Sequence, residues 1–244
     1  MGQVFEQELE ILRTEAEEVA QYLYAYLAIH ATAAQNSEVV RLLNTAPLFW
    51  NTTLGALQTS AFIAMGRVFD DDKNSHGVNR LLNLAKENLQ IFTRNALAAR
   101  RQGKNPIRPE YLDKFLLQVY IPELVDFQEL QEKVDEHKEI YKNKYKSIRN
   151  KIYAHKDIVS NINIHDLFAQ TDMHEWQTLT LFLQSLHNLI WQLYHNGIKL
   201  DLQGNFSSIE NVLSHLIPAG QQVPPQEKIA HEVTNFLLTA AEKR

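Results

Sequence analysis

Apolar residues recur at intervals of three and four along most of this 244-residue chain. That spacing places them on one face of an α-helix, so it predicts an all-α protein. Only eight glycines and seven prolines interrupt the pattern. The predicted helices lie at about residues 4–34, 37–43, 47–70, 75–101, 111–119, 122–155, 172–197 and 207–218, with a last one from about residue 225. Residues 198–206 are ambiguous and could form a small hairpin.

Residues that favour helix ends mark several of these boundaries. Pro47 stands in a first turn, where the missing N–H of proline has no intrahelical partner. Ser75 is placed to cap the helix that follows it. Asp172 and Glu175 form a possible capping box, and Pro225 starts the last helix.

The predicted helices suggest three parts. The four long helices between residues 47 and 197 are expected to form an up-and-down helical bundle. Residues 1–46 would be an N-terminal helical extension with one long helix. Residues 198–244 would be a C-terminal helical appendage packed on the bundle.

Composition indicates the cellular compartment in which the protein is expected. The chain is 45% hydrophobic, carries a formal net charge of −5 and contains no cysteine. A disulfide framework and a thiolate metal site are therefore excluded, as is usual in a reducing cytosol. The first residues lack a basic segment, and no run of about 18 apolar residues occurs. We expect a cytoplasmic protein without membrane contact.

Metal and cofactor chemistry is not expected. None of the ten histidines follows a glutamate by three residues, and no His-Glu-x-x-His pattern occurs. Glycine-rich phosphate loops, nucleophile elbows and dinucleotide fingerprints are also missing. The acidic turn at residues 70–72 fits a solvated loop better than a cation site.

A strongly basic stretch stands out in this acidic chain. No acidic residue occurs from Lys142 to Lys156, and such a local reversal of sign is typical of a polyanion-binding surface. Within it, Arg149 precedes His155 by six positions. An imidazole can move the proton of a 2′-hydroxyl, and a guanidinium can stabilise the charge on the attacked phosphate. The pair could therefore cleave RNA without a metal.

The basic stretch and the Arg149–His155 pair can also be explained by structure alone. His155 continues an apolar stripe, so it could be a packed core histidine. That stripe consists of Tyr141, Tyr145, Ile148, Ile152, His155 and Val159. Charged runs on long helices are usually solvated faces. On an ideal helix Arg149 and His155 are about 120° and about 9 Å apart, so they would line one groove only if a second copy packs against the stripe.

The chain resembles the HEPN ribonuclease superfamily, most closely its abortive-infection branch. The likeness rests on Arg149-Asn150-(x)4-His155, on Ala-His-x-Asp at residues 154–157, and on Arg-Val-Phe-Asp at residues 67–70. It covers roughly residues 48–194. It implies that Arg149 and His155 line a cleft between two subunits and that Asn150 assists them. HEPN toxins silenced by nucleotidylation carry Tyr where this chain has Asp157, so that control is not expected.

Together these observations predict a metal-independent endoribonuclease of HEPN type, a homodimer acting in antiphage defence or as a toxin. Arg149, Asn150 and His155 would be catalytic, and Lys146, Lys151 and Lys156 would bind RNA. The products would carry 2′,3′-cyclic phosphate and 5′-hydroxyl ends. Two alternatives stay open, namely a non-catalytic RNA-binding or dimerisation module and the protein-binding partner of a toxin–antitoxin pair. The expected partners are RNA, a second copy of the chain and a cognate antitoxin or defence partner.

Overall fold

The regular structure of the protein is helical. The computed structural model describes residues 2–72, 75–146, 172–199, 202, 209–214 and 223–243. No strand occurs in these ranges, so the all-α prediction is confirmed. Ten α-helices are described. They are α1 (Gly2–Gln35), α2 (Ser37–Leu43), α3 (Pro47–Val68), α4 (Val78–Glu87), α5 (Arg94–Gln102), α6 (Leu112–Gln118), α7 (Leu124–Ile140), α8 (Met173–Asn196), α9 (Ile209–Ser214) and α10 (Pro225–Glu242).

Residue contacts divide the chain into two compact units. The first unit comprises Met1–Thr14 and Gly66–Gly204, and the second comprises Glu15–Met65 and Asn205–Arg244. The division into parts 1–46, 47–197 and 198–244 remains a prediction.

Most predicted helix starts agree with the structure. Helix α1 begins two residues before its predicted start. Helices α2, α3 and α10 begin at the predicted residues, which are Ser37, Pro47 and Pro225. The Asp172 carboxylate caps α8 by accepting a hydrogen bond from the backbone N–H of His174 at 2.8 Å. The predicted hairpin at residues 198–206 and the ends of the predicted 207–218 helix lie largely outside the described residues.

The single helix predicted over residues 75–101 is wrong. Helix α4 starts after Gly77 rather than Ser75, and a 3₁₀ turn at Leu89–Phe92 separates it from α5. The break occurs at Asn88, whose backbone is non-helical at φ −131° and ψ 47°. Its side-chain amide donates to the carbonyl oxygen of Leu84 at 2.9 Å, a local bond that competes with the helix. The apolar period continues across the break and hides it.

Helix α7 leads into the basic stretch. The predicted start at Pro122 is two residues early, because Glu123 and Asp126 form the capping box. A π-helical turn at Tyr141–Tyr145 continues α7 as far as Lys146. The rest of the predicted helix lies outside the described residues.

Aromatic rings hold the first unit together. Phe92 of the 3₁₀ turn lies 5.4 Å from Phe5 of α1 and 5.1 Å from Phe127 of α7, between ring centroids. Tyr194 of α8 lies 4.9 Å from Phe5. All four side chains are buried, and aromatic pairs at such distances stabilise beyond their buried area. The start of α1 is thereby fixed to α7 and α8.

The second unit has its own core. Ile29 of α1, Val39 of α2 and Leu237 of α10 are buried together. The hydroxyls of Thr32 and Thr234 lie 3.1 Å apart and share a hydrogen bond. Helix α10 therefore packs against α1 and α2.

Candidate functional site

The predicted catalytic residues Arg149, Asn150 and His155 lie outside the described residues, as do Lys151 and Lys156. Their arrangement and roles remain predictions. Lys146 is described, and its side chain is exposed. The structure shows how the helix leading to these residues is held.

Two lysines of the basic stretch are neutralised by carboxylates. The ammonium group of Lys142 lies 3.5 Å from carboxylate oxygens of both Asp71 and Glu139. Lys144 forms an ion pair with Glu175 in the first turn of α8. Lys146 has no ion-pair partner among the residues that the structure describes. The positive surface is therefore smaller than the sequence suggests.

Aromatic side chains anchor the π-helical turn. The ring of Tyr141 stacks on that of Phe69, with centroids 5.5 Å apart and planes 25° apart. The Tyr145 hydroxyl donates to the backbone carbonyl of Asp172 at 3.0 Å. Tyr141 and Tyr145 are both buried. Four residues before Arg149, the helix is thus fixed to the end of α3 and the start of α8.

Lys138 makes a further link between α7 and the turn after α3. Its side chain is only 6% exposed, and its ammonium group donates to the carboxylate of Asp71. The hydrogen bond from Lys138 lowers the pKa of Asp71, so this carboxylate stays ionised at neutral pH. Both the Phe69 stack and this ion pair join residues 67–72 to α7. Residues 67–70, which carry part of the HEPN resemblance, are therefore connected through packing to the helix that precedes Arg149 in the sequence.

The acidic turn at residues 70–72 has a structural role. Asp71 pairs with two lysines, and the Asp70 carboxylate accepts a hydrogen bond from the backbone N–H of Asp72 at 3.1 Å. Within the described ranges, no group of three or more acidic or histidine side chains could hold a metal ion. The prediction of a solvated loop missed the ion pair with Lys138, because their 67-residue separation leaves no local pattern.

A buried carboxylate near the N-terminus also escaped sequence reasoning. The Glu8 side chain is 4% exposed and accepts hydrogen bonds from Arg80 Nε at 2.6 Å and His76 Nδ1 at about 3.0 Å. Paired and hydrogen-bonded carboxylates of this kind tolerate burial. Helix α1 is therefore tied to the start of α4. In the sequence, Glu8 is only one polar residue among apolar neighbours on an amphipathic helix, and that pattern does not indicate that it is buried.

A groove of about 570 Å³ lies between the start of α7 and the end of α8. At one end, Asp126 accepts hydrogen bonds from Lys199 at 2.8 Å and from the Tyr120 hydroxyl at 2.6 Å. Burial opposes ionisation of Asp126, but these hydrogen bonds bring its pKa below the usual value. The three side chains join the segment after α8 to the capping box of α7.

One histidine of α8 is unsuited to proton transfer at neutral pH. Burial and the nearby Arg13 lower the pKa of His187 to about 4, whereas a general acid or base is most effective with a pKa near the working pH. Burial and the nearby Arg100 also lower the pKa of His195.

The sequence matches the HEPN_AbiU2 family, described as AbiU2, over residues 3–210. The chain belongs to this family. The match includes the start of α1, which lies outside the range expected from the motifs alone. No curated protein and no solved structure matches the chain. Membership of HEPN_AbiU2 indicates a HEPN-type protein of the abortive-infection group. No helix of the described residues is both long and apolar enough to cross a membrane.

Proposed function

We propose that this HEPN_AbiU2 protein is a metal-independent endoribonuclease that acts as a homodimer in antiphage defence or as a toxin. The observation that carries the proposal is the Arg149-Asn150-(x)4-His155 pattern in a chain of this family. His155 exchanges protons with the attacking 2′-hydroxyl and the leaving 5′-oxygen. Arg149 stabilises charge on the phosphate, and Asn150 orients the substrate or the pair.

The chemistry follows from these side chains. The 2′-oxygen attacks the adjacent phosphorus as His155 removes its proton. The bond between phosphorus and the 5′-oxygen breaks, and the leaving 5′-oxygen takes up the proton that His155 returns. The products carry a 2′,3′-cyclic phosphate and a 5′-hydroxyl. Lys146, Lys151 and Lys156 hold the RNA backbone through phosphate contacts.

The anchored helix supports this proposal. Catalytic groups must be held close to their productive geometry, and elements fixed by packing do so better than loops. Buried Tyr141 and Tyr145 and the Lys138–Asp71 pair fix the helix four to eleven residues before Arg149 in the sequence. Lys146 is exposed and adds a positive charge three residues before Arg149 in the sequence.

Substitution of the two central residues tests the proposal. Arg149→Ala and His155→Ala should each reduce RNA cleavage by at least about 100-fold, because each removes a group that acts in the transition state. Cleavage by the unmodified protein should persist in EDTA. An RNA with a 2′-deoxy sugar at the scissile position should not be cut, since it lacks the nucleophile.

Exposed residues of the same types provide controls. His174→Ala and Arg41→Ala remove an exposed imidazole and an exposed guanidinium from α8 and α2, and both should leave cleavage unchanged. Circular dichroism verifies that all four variants are folded. A requirement for magnesium, or cleavage of the deoxy substrate, would contradict the mechanism. Unfolding of His155→Ala would identify His155 as a core residue instead.

The non-catalytic alternative makes a different prediction. An RNA-binding or dimerisation module would bind RNA without cleaving it, and Arg149→Ala would weaken that binding only modestly. A protein-binding partner of a toxin–antitoxin pair would show neither property.

A further inference from the structure

A second positive region lies in the described part of the first unit. Residues 94–118 contain six cationic and two acidic residues, a net charge of +4 in a chain whose net charge is −5. The segment comprises α5, the loop after it and α6. The sequence does not single it out, because its cations are spread over 21 positions rather than concentrated in one run.

The structure separates one half-buried cation of this segment from the exposed ones. Arg100 belongs to the interior, since its guanidinium donates to the carbonyl oxygens of Ile91 and Tyr194 at 2.7 Å each. The other five cationic residues are exposed. They are Arg94, Arg101, Lys104, Arg108 and Lys114. We call these five residues, together with Tyr111 and Phe115, the α5–α6 surface.

Among the residues that the structure describes, two lysines of the α5–α6 surface have no acidic partner. Lys104 and Lys114 form no ion pair with any residue of the described ranges. Arg108, by contrast, pairs with Asp113 at 2.5 Å. Lys104 and Lys114 are therefore available to bind phosphate, as they would be for nonspecific contacts to a polynucleotide.

Aromatic rings accompany these charges. The Arg101 guanidinium lies over the Phe115 ring at 4.9 Å from its centroid. Tyr111 is 55% exposed at the start of α6. An exposed ring that lies between exposed cations along the chain is a combination that single-stranded nucleic acids recognise, because bases stack on the ring while phosphates contact the charges.

The outer face of α7 has the opposite character. Its exposed residues include five carboxylates and Lys133. The five are Glu129, Glu132, Asp135, Glu136 and Glu139. Lys133 is paired with Glu136 at 3.0 Å. This face would repel a polyanion, so positive charge in the first unit is confined to particular surfaces.

We propose that the α5–α6 surface binds single-stranded RNA, with Lys104 and Lys114 on the phosphates and Tyr111 stacked on a base. This inference rests on the proposed function, because it identifies a second contact for the RNA that the Arg149–His155 site would cleave. Helix α6 has only seven residues, which favours a flexible polynucleotide over insertion as a membrane-surface helix. The phosphates follow the cations from α5 through the loop to α6.

Binding is measured by fluorescence anisotropy with the full chain and a labelled 2′-O-methylated RNA. This probe cannot be cleaved by the proposed mechanism, because its 2′-oxygen is blocked. The double variant Lys104→Glu/Lys114→Glu should bind at least tenfold more weakly. Each lost phosphate contact should also reduce the slope of log affinity against log salt by about 0.7.

The matched control reverses two other exposed lysines. Lys133→Glu/Lys228→Glu produces the same change in net charge on α7 and α10, and it should leave affinity within about twofold. Tyr111→Ala should weaken binding about tenfold, whereas Tyr111→Phe keeps the ring and should bind normally. Circular dichroism confirms that each variant is folded.

Three results would overturn the inference. The first is equal RNA affinity for Lys104→Glu/Lys114→Glu and the unmodified protein, and the second is an equal loss in the control pair. The third is Lys104- and Lys114-dependent binding to phosphatidylglycerol vesicles with unchanged RNA affinity, which would assign the surface to a membrane.

The cleavage assay separates this inference from the proposed function. If RNA is not cut but the Lys104 and Lys114 reversals weaken binding, the ribonuclease proposal fails and the α5–α6 surface stands. If RNA is cut and binding is unaffected by the reversals, the surface is wrong and the ribonuclease proposal stands.

Discussion

At the scale of single residues, the ion pair between Lys138 and Asp71 combines a buried charge with its counter-ion and holds the helix that precedes the proposed site. Lys138 is buried, whereas the Asp71 side chain is 49% exposed. A buried ammonium group without a counter-ion is costly, because water no longer solvates it. Asp71 should therefore contribute more to stability than its exposure suggests, because it is the counter-ion of a buried lysine.

Removal of the carboxylate should reveal this dependence. Asp71→Asn should lower the free energy of unfolding by about 1–2 kcal/mol, a value reduced from that of fully buried pairs because Asp71 is half-exposed. Urea denaturation followed by circular dichroism measures the loss. The double variant Asp71→Asn/Lys138→Met should be more stable than Asp71→Asn alone, since no charge is then left buried.

The exposed pair of Arg108 and Asp113 provides the control for this cycle. Asp113→Asn should change stability less than Asp71→Asn, because both partners of that pair are well solvated. Equal effects of the two substitutions, or additive effects in the Asp71 and Lys138 cycle, would mean that burial of Lys138 adds nothing.

At the scale of helices, glycines define where elements can end and how closely they pack. Gly197 terminates α8 in the left-handed conformation, with φ 59° and ψ 38°. A Cβ atom there would lie 2.6 Å from the Cβ of Val119. Gly55, in contrast, stands within α3, and a Cβ added to it would meet no atom within 4 Å.

The two glycines should respond to alanine in opposite directions. Gly197→Ala should destabilise the protein by about 2 kcal/mol or more, through the left-handed backbone and the contact with Val119. Gly55→Ala should stabilise it by about 0.5–1 kcal/mol, because alanine restricts the unfolded chain and suits a helix interior. Urea denaturation of both variants checks the two signs, and a tolerated Gly197→Ala would contradict the packing described for the end of α8.

At the scale of the whole molecule, the proposed chemistry requires two copies of the chain. His155 follows Arg149 by six positions, so an ideal helix over these residues would direct the two side chains about 120° apart. A groove containing both would form only if the stripe between them packs against a second copy. Homodimerisation is thus a requirement of the proposed mechanism rather than an addition to it.

Light scattering should show a dimer at micromolar concentration, with the stretch from Tyr145 to Val159 at its interface. Ile152→Asp should give a folded monomer that does not cleave RNA, because it places a charge in the apolar stripe. Val125→Asp changes an exposed residue near the start of α7 and should leave the dimer intact. A monomeric unmodified protein that still cleaves RNA would contradict the composite site.

The sequence alone determined the helical class, most helix starts and the residue types of the proposed site. Periodicity, caps and prolines act over one or two turns, so a local pattern contains them. It missed the break at Asn88, because the apolar period continues across that residue while its side-chain hydrogen bond interrupts the helix.

Only the tertiary structure decided which charges are available. It pairs Asp71 with Lys138 and Glu8 with Arg80, across 67 and 72 positions, and it neutralises Lys142 and Lys144. Such partners are chosen by packing of distant helices, which no local spacing encodes. For the same physical reason, the sequence located a basic run around Arg149, and the fold revealed the exposed cations of the α5–α6 surface.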